Sequence, residues 1–207
     1  MDNLKFLKMK KVLLLFTVVT LSAMQSFAQD YKFYIGVGAG YATAGGDAAD
    51  ELNAEAGLSL NFLNIGYRFN ESWGLTANLG SSGHSIKDTD SAIGVGVFSF
   101  GPMYTVSLNE NIYWDLKPQY AISMKGVFRG NDAASIGLED VEMSGNGFVF
   151  GNSLVFGDGG KGFDFSIDLD YLMGKFTEAS GPGGTEDIDE DNSFNSLKIG
   201  VGVRYNF

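Results

Sequence analysis

The chain has 207 residues and a formal net charge of −11 at pH 7, with 29 glycines, 17 phenylalanines and no cysteine. The lack of cysteine excludes a disulfide scaffold, a thiol enzyme, a cysteine-ligated zinc site and a lipoprotein anchor. The acidic balance argues against nucleic acid as a partner, because phosphate binding needs a basic surface.

The N-terminal segment has the layout of a secretory signal peptide. Four lysines precede an apolar run from Val12 to about Met24, and the small residues Ser26 and Ala28 precede a predicted cleavage site. We therefore divide the chain into a signal peptide, residues 1–28, and a mature domain, residues 29–207. The apolar run is too short to span a bilayer, and no later run reaches 18 apolar residues.

The mature domain alternates between apolar and polar or small residues with a period of two, which is the signature of β-strands. The clearest five segments cover residues 31–41, 73–81, 112–124, 163–173 and 197–207. No charged residue occupies their apolar faces. Because a charge on a lipid-facing strand costs roughly 2–4 kcal/mol at mid-bilayer, this exclusion indicates a membrane-facing surface.

Three further strands are predicted near residues 58–69, 92–108 and 146–157. The apolar face changes phase within the first of these after Phe62, and within the second between Val97 and Phe98. Since an inserted residue reverses the face of a strand, we predict a β-bulge near each change. This prediction places Ile93, Val95 and Val97 on the same face as Phe98.

The connections between strands alternate in length. Short connections are predicted at 70–72, 109–111 and 157–161, and long ones at 42–57, 83–91, 125–145 and 174–193. This rhythm predicts an all-β fold, an eight-stranded antiparallel up-and-down transmembrane β-barrel with both termini on the periplasmic side. Its inward faces are polar, the reverse of a soluble barrel. The aromatic residues expected to form a girdle at the short-turn end are Tyr31, Phe69, Trp73, Tyr104, Trp114, Phe163 and Phe207.

The signal peptide, the eight alternating segments and the terminal Tyr205-Asn206-Phe207 resemble the small outer-membrane β-barrel family, which includes the OmpA transmembrane domain, OmpX and the PorT-like barrels. The resemblance is one of pattern and covers the whole mature chain. It implies the outer membrane of a Gram-negative bacterium, with membrane lipid, lipopolysaccharide and the barrel-assembly machinery as partners. In the family an alternating apolar strand with a terminal aromatic is the assembly signal, and the matching residues are Val201, Val203, Tyr205 and Phe207.

Charged residues on the inward faces of the last two predicted strands suggest a specific register. If facing residue numbers sum to 368, Asp164 meets Arg204 and Asp170 meets Lys198, whereas a shift of two residues breaks both pairs. We therefore predict interior ion pairs at these four positions. Arg68, Asp115, Lys117 and Lys32 should also find partners, because unpaired interior charges are strongly destabilising.

Candidate chemistry elsewhere is sparse. His84 is the single histidine and lies beside Ser85. The two residues could act as a base and a nucleophile, or they could lie at the tip of a polar loop. An acidic segment resembles a calcium loop, but Asn192 and Lys198 occupy the positions where an EF-hand needs Gly and Glu. The segment could instead bind a divalent cation without EF-hand geometry, or it could be a solvated acidic loop. The acidic residues of that segment are Glu186, Asp187, Asp189, Glu190 and Asp191.

The sequence predicts a non-enzymatic barrel whose interior is mostly filled by its own side chains, with no catalytic residue, cofactor or metal site. We expect it to maintain the envelope and to present acidic loops outside to an unidentified extracellular ligand. A narrow pore for small solutes or ions is the first alternative. A lipid-modifying membrane enzyme that uses His84 is the second.

Overall fold

The computed structural model describes residues 33–130, 141–181, 184–188 and 192–207. The predicted signal peptide, Tyr31, Lys32 and the acidic residues 189–191 lie outside these ranges. The elements of the described chain are β1 (Phe33–Ala42), α1 (Asp47–Glu51), β2 (Gly57–Arg68), β3 (Trp73–Ser85), β4 (Ser91–Asn109), β5 (Ile112–Gly130), β6 (Glu142–Phe156), β7 (Gly162–Gly181), β8 (Gly184–Asp187) and β9 (Ser193–Asn206).

Eight of these strands form a closed antiparallel barrel. Each of β1 to β7 pairs with its neighbour in the chain, β9 pairs with β7, and β9 also pairs with β1 to complete the ring. The short β8 pairs only with β7 among the described strands. The predicted fold class is therefore confirmed. Within the described part of the chain, no helix is long and apolar enough to cross a membrane.

The two ends of the barrel differ in how far the strands extend. Tight turns join β2 to β3, β4 to β5 and β6 to β7 at one end, which we call the turn end. We call the opposite end the loop end. Three strands extend far toward it: β4 and β5 have 19 residues each in total, and β7 has 20. A tilted strand crosses the hydrocarbon with about 9–11 residues, so these strands project well beyond it. Much of the chain predicted as long loops is therefore strand.

The phase change in β2 is a β-bulge. Asn61 pairs with Gly80 and Leu63 pairs with Leu79, which leaves Phe62 as the extra residue. Because one additional residue reverses the side-chain alternation, both apolar runs of β2 face the outside of the barrel. The predicted bulge at this position is confirmed.

For β4, the structure has an irregularity near the predicted position, but the predicted reversal of its apolar face is wrong. Ile93, Val95 and Val97 are buried inside the barrel, whereas Phe98 and Phe100 are exposed on its outer surface. The pairing of β4 with β3 has no register shift, so the alternation of β4 is unbroken. The apolar residues change faces because the interior is itself apolar at the loop end. The irregularity between β4 and β5 places its extra residue on β5, between Ala121 and Ser123.

Apolar side chains cover the outer surface and form what we call the lipid band. Aromatic pairs lie at its turn end, where the ring centroids of Trp73 and Tyr104 are 4.8 Å apart and those of Phe163 and Tyr205 are 5.0 Å apart. Such amphipathic or aromatic rings are typical of the interface between hydrocarbon and headgroups. The other predicted girdle residues in the described chain are also exposed here: Phe69, Trp114 and Phe207.

Candidate functional site: the barrel interior

The register between β7 and β9 brings the predicted interior charges together. Asp164 faces Arg204 and Asp170 faces Lys198, as the sum of 368 requires. Arg204 Nε lies 3.4 Å from Asp164 Oδ2. For Asp170 and Lys198, the described contacts show the facing positions but no ion pair. The structure thus forms one of the two predicted ion pairs directly.

Asp115 is the centre of a larger buried cluster near the turn end. Its Oδ2 accepts a hydrogen bond from Arg204 Nη1 at 2.7 Å, and Arg68 Nη2 lies 3.4 Å from its Oδ1. Thr105 Oγ1 donates to Oδ1 at 2.6 Å. We call Arg68, Asp115, Asp164 and Arg204 the charged cluster. It balances two guanidinium groups with two carboxylates, which is the condition for burying charge in a medium of low dielectric constant.

Aromatic rings enclose the charged cluster. The Arg204 guanidinium lies 4.4 Å from the centroid of Tyr34 and 4.8 Å from that of Tyr113. The Tyr113 hydroxyl donates a hydrogen bond to Asp164, and Asn206 Nδ2 donates to the same carboxylate at 2.8 Å. These contacts fill the barrel at this level with side chains. Sequence reasoning missed the contact between Arg204 and Asp115, because it crosses the barrel and joins strands that are not neighbours.

A small cavity lies in the middle of the barrel, lined by both polar and apolar residues. Its volume is about 70 Å³, which is enough for a few water molecules. Three polar atoms of lining residues have no protein partner: Asn78 Oδ1, Gln119 Nε2 and Asp170 Oδ1. Because this set includes both hydrogen-bond donors and acceptors, solvent is the ligand that fits it.

The interior at the loop end is apolar, which the sequence did not predict. The buried side chains form one cluster, which we call the apolar cap: Ala48, Ala49, Ile86, Ile93, Val95, Val97, Ala121, Met124, Phe128, Met143, Leu172, Phe176 and Phe194. The connection between β1 and β2 crosses the barrel mouth, and its helix α1 places Ala48 and Ala49 on the cap. Ser193 Oγ holds this connection by donating to Asp47 Oδ2 at 2.6 Å.

His84 is fully buried beneath this connection. Its Nδ1 lies 3.0 Å from the Glu55 carbonyl oxygen, which can only accept, so Nδ1 carries a proton. Its Nε2 lies 2.9 Å from Ser82 Oγ, and its ring contacts Phe194. Ser85 points to the opposite, exposed face, because successive residues of a strand alternate in direction. The pairing of His84 with Ser85 considered from the sequence is therefore absent.

Two further groups of predicted residues lie in the C-terminal region, the acidic segment and the assembly signal. Glu186 and Asp187 are exposed in β8, and no group of three or more potential metal ligands gathers within the described residues. Along β9 and the terminal residue, the side chains of the predicted assembly signal share the outer face: Val201, Val203, Tyr205 and Phe207. Their role in assembly remains a prediction.

Comparison with known proteins identifies relatives of this fold. The model of the outer membrane protein β-barrel domain family matches residues 12–207. The crystal structure of neisserial surface protein A, NspA, has a TM-score of 0.55 at 16% identity, covering 84% of this chain and 97% of that chain. OprG from Pseudomonas aeruginosa gives 0.49 at 14% identity, with coverages of 85% and 97%. Ail from Yersinia pestis gives 0.47 at 17% identity, with coverages of 86% and 100%. No curated protein matches the sequence.

Proposed function

The chain belongs to the outer membrane protein β-barrel domain family and resides in the bacterial outer membrane, and from that premise we propose that it is a non-enzymatic, non-conducting barrel that presents structure at the cell surface. The terminal strand ending at Phe207 serves in this proposal as the signal read by the barrel-assembly machinery. The described residues support no catalytic constellation, since the single histidine is fully buried and the hydroxyl that contacts it, that of Ser82, is buried with it, out of reach of a substrate.

The observation that carries the proposal is the obstruction of the interior at two levels. The charged cluster fills the barrel near the turn end, and the apolar cap fills it near the loop end. An ion that crossed the barrel would have to separate buried ion pairs and then enter an apolar layer. Both steps are costly in a low-dielectric interior. The small cavity lies between these two layers. It could hold solvent, but in this proposal an ion could reach it only by crossing one of the two layers.

The projecting strands support the surface role. In this family the tight turns face the periplasm and the longer connections face outward. The ends of β4, β5 and β7, together with β8 and the connection that carries α1, therefore lie outside the cell. Exposed acidic residues occur here, including Glu178, Glu186 and Asp187. Segments held on a rigid barrel beyond the headgroups are suited to contact neighbouring molecules.

Cysteine labelling in intact cells tests this surface arrangement. The chain has no cysteine, so Lys87→Cys in the turn after β3 and Glu110→Cys in the turn after β4 each provide a single site. A membrane-impermeant maleimide should label the first variant in intact cells and the second only after the outer membrane is permeabilised. Labelling of Glu110→Cys alone in intact cells would contradict the proposed orientation.

A further inference from the structure

The single histidine joins the barrel wall to the connection that crosses the barrel mouth. We call this connection, residues 43–56 with α1, the outer closure. His84 lies on β3, and its Nδ1 donates a hydrogen bond to the Glu55 carbonyl oxygen of the outer closure at 3.0 Å. Backbone contacts flank this bond, since Glu55 N–H donates to the Ser85 carbonyl oxygen and Ala54 forms a bridge with Ile86. A titratable side chain therefore lies in the middle of the attachment between β3 and the outer closure.

The surroundings of the His84 ring are apolar or neutral. The ring has no exposed surface and contacts Phe194, with the two centroids 5.8 Å apart. Phe194 in turn packs against Phe176, and both belong to the apolar cap. On β4, the residue opposite His84 is the buried Ile93. The second ring nitrogen, Nε2, lies 2.9 Å from the Ser82 hydroxyl, so neither hydrogen-bond partner of the ring carries a charge.

The charged groups around the ring would not compensate an imidazolium. Among the described residues, Lys198 on β9 is the charged side chain that acts on His84, and its like charge would repel a protonated ring. The charged side chains of the outer closure and of the adjacent turn between β3 and β4 are all exposed: Asp47, Asp50, Glu51, Glu55, Lys87, Asp88 and Asp90. Protonation of His84 would thus place a positive charge beside the apolar cap without a buried carboxylate.

His84 lies outside the hydrocarbon, where it can exchange protons with water once it is exposed. A tilted strand crosses the hydrocarbon with about 9–11 residues, and His84 is the twelfth residue of β3, which begins in the girdle at Trp73. Burial lowers the pKa of His84 below its ordinary value, the hydrogen bond to Glu55 raises it by less, and Lys198 lowers it again.

The direction of this pKa shift determines how closure depends on pH. If the outer closure is displaced, the ring meets water, where histidine titrates near pH 6.5. The closed form binds the proton less tightly than the displaced form does. Closure is therefore most stable above about pH 6.5 and weakens as the pH falls below that value.

We infer that His84 is an acid-sensitive latch, whose protonation releases the outer closure from the barrel mouth while the barrel stays folded. Release withdraws Ala48 and Ala49 from the apolar cap and opens the interior at the loop end. The barrel wall does not depend on the outer closure, because eight paired strands form a closed ring without it. The inference rests on the proposed function in one respect, namely that the loop end faces the medium outside the cell and senses its pH.

Distances between spin labels at defined pH test the latch in the refolded protein. The chain has no cysteine, so Glu51→Cys on α1 and Lys125→Cys on β5 supply two exposed sites for labelling. Double electron–electron resonance should give one distance at pH 7.5 and a second, displaced population at pH 5.5. The ratio of displaced to closed molecules should rise by up to about tenfold, the limit for one group with a displaced-form pKa near 6.5. Carboxyl groups ordinarily titrate near pH 4, so this pH range selects for histidine.

Two variants assign the response to the imidazole. In His84→Asn, the side-chain amide can donate to the Glu55 carbonyl oxygen but takes up no proton, so the distances should not change with pH. The matched control, Asp47→Asn, removes a titratable group of the outer closure, keeps an acceptor for the Ser193 hydroxyl and should respond to pH as the unmodified protein does. The NMR signals of the single histidine should titrate with the same midpoint as the displaced population.

Four results would overturn the inference. The first is an unchanged distance distribution between pH 7.5 and 5.5, and the second is an equal pH response in His84→Asn. The third is a difference between the two midpoints, which decides the case even if His84→Asn is displaced at both pH values. The fourth is loss of heat-modifiable electrophoretic mobility at pH 5.5, which would show unfolding of the whole barrel. An inverted orientation in the cysteine-labelling experiment would instead contradict the proposed function and leave these distances unchanged.

Discussion

Asp115 has no exposed surface and accepts hydrogen bonds from three side chains, those of Arg68, Thr105 and Arg204. Asp115→Ala leaves the buried guanidinium of Arg204 and the half-buried one of Arg68 with one carboxylate, that of Asp164. Removing one partner of a buried charge pair costs about 3–5 kcal/mol. We therefore expect the free energy of unfolding, measured by urea titration in lipid vesicles, to fall by that amount.

The control for this prediction is Glu110→Ala. Glu110 is exposed in the tight turn between β4 and β5, and substitutions at such sites change stability by no more than about 0.5 kcal/mol. Equal and small effects of the two substitutions would show that the charged cluster contributes nothing to the folded barrel.

Gly40 is a second residue whose environment makes a clear prediction. A Cβ atom at Gly40 would lie 2.2 Å from the Ile199 carbonyl oxygen, in the seam where β1 pairs with β9. Gly83 in β3 has no atom within 4 Å of the same position. Gly40→Ala should therefore lower the fraction of folded protein in a heat-modifiability assay, whereas Gly83→Ala should not. Equal folding of both variants would mean that the seam can widen without cost.

At the scale of elements, α1 and its connection form the outer closure of the barrel. Ala49 is buried in the apolar cap, so Ala49→Asp would place a charge in an apolar layer with no described partner. We expect proteinase K to cut the connection between β1 and β2 faster in this variant while the barrel keeps its heat-modifiable mobility. Glu51→Ala, at an exposed position of the same helix, should leave the cutting rate unchanged. Loss of the whole barrel in Ala49→Asp would contradict a separable closure.

The strands also show which features alternation can predict. The register of β7 and β9 follows from Asp164, Asp170, Lys198 and Arg204, because opposite charges on inward faces admit one alignment. The orientation of β4 could not be predicted in this way. Alternation shows that two faces differ, but it does not show which face meets lipid when the interior is also apolar, as it is around Val95.

The helix α1 produces a weaker apolar pattern in the sequence than the strands do. It has five residues, and its buried contribution is two alanines, which are too few and too small to produce a periodic apolar pattern. The contact between Arg204 and Asp115 was equally inaccessible, because it depends on the diameter of the closed ring. The sequence thus predicts which residues face inward in the charged half, whereas the closed structure decides which of them meet.

At the scale of the whole molecule, the barrel interior has a charged layer near the turn end, a small cavity in the middle and an apolar layer at the loop end. In the proposed function these layers make the barrel a closed surface protein rather than a channel, because an ion would have to cross both the charged cluster and the apolar cap. Single-channel recording of the refolded protein in a planar bilayer tests this claim most directly, with folding confirmed in the same sample. The account predicts a membrane that remains sealed at all applied voltages that the bilayer tolerates. Steady, reproducible openings of one conductance would contradict it.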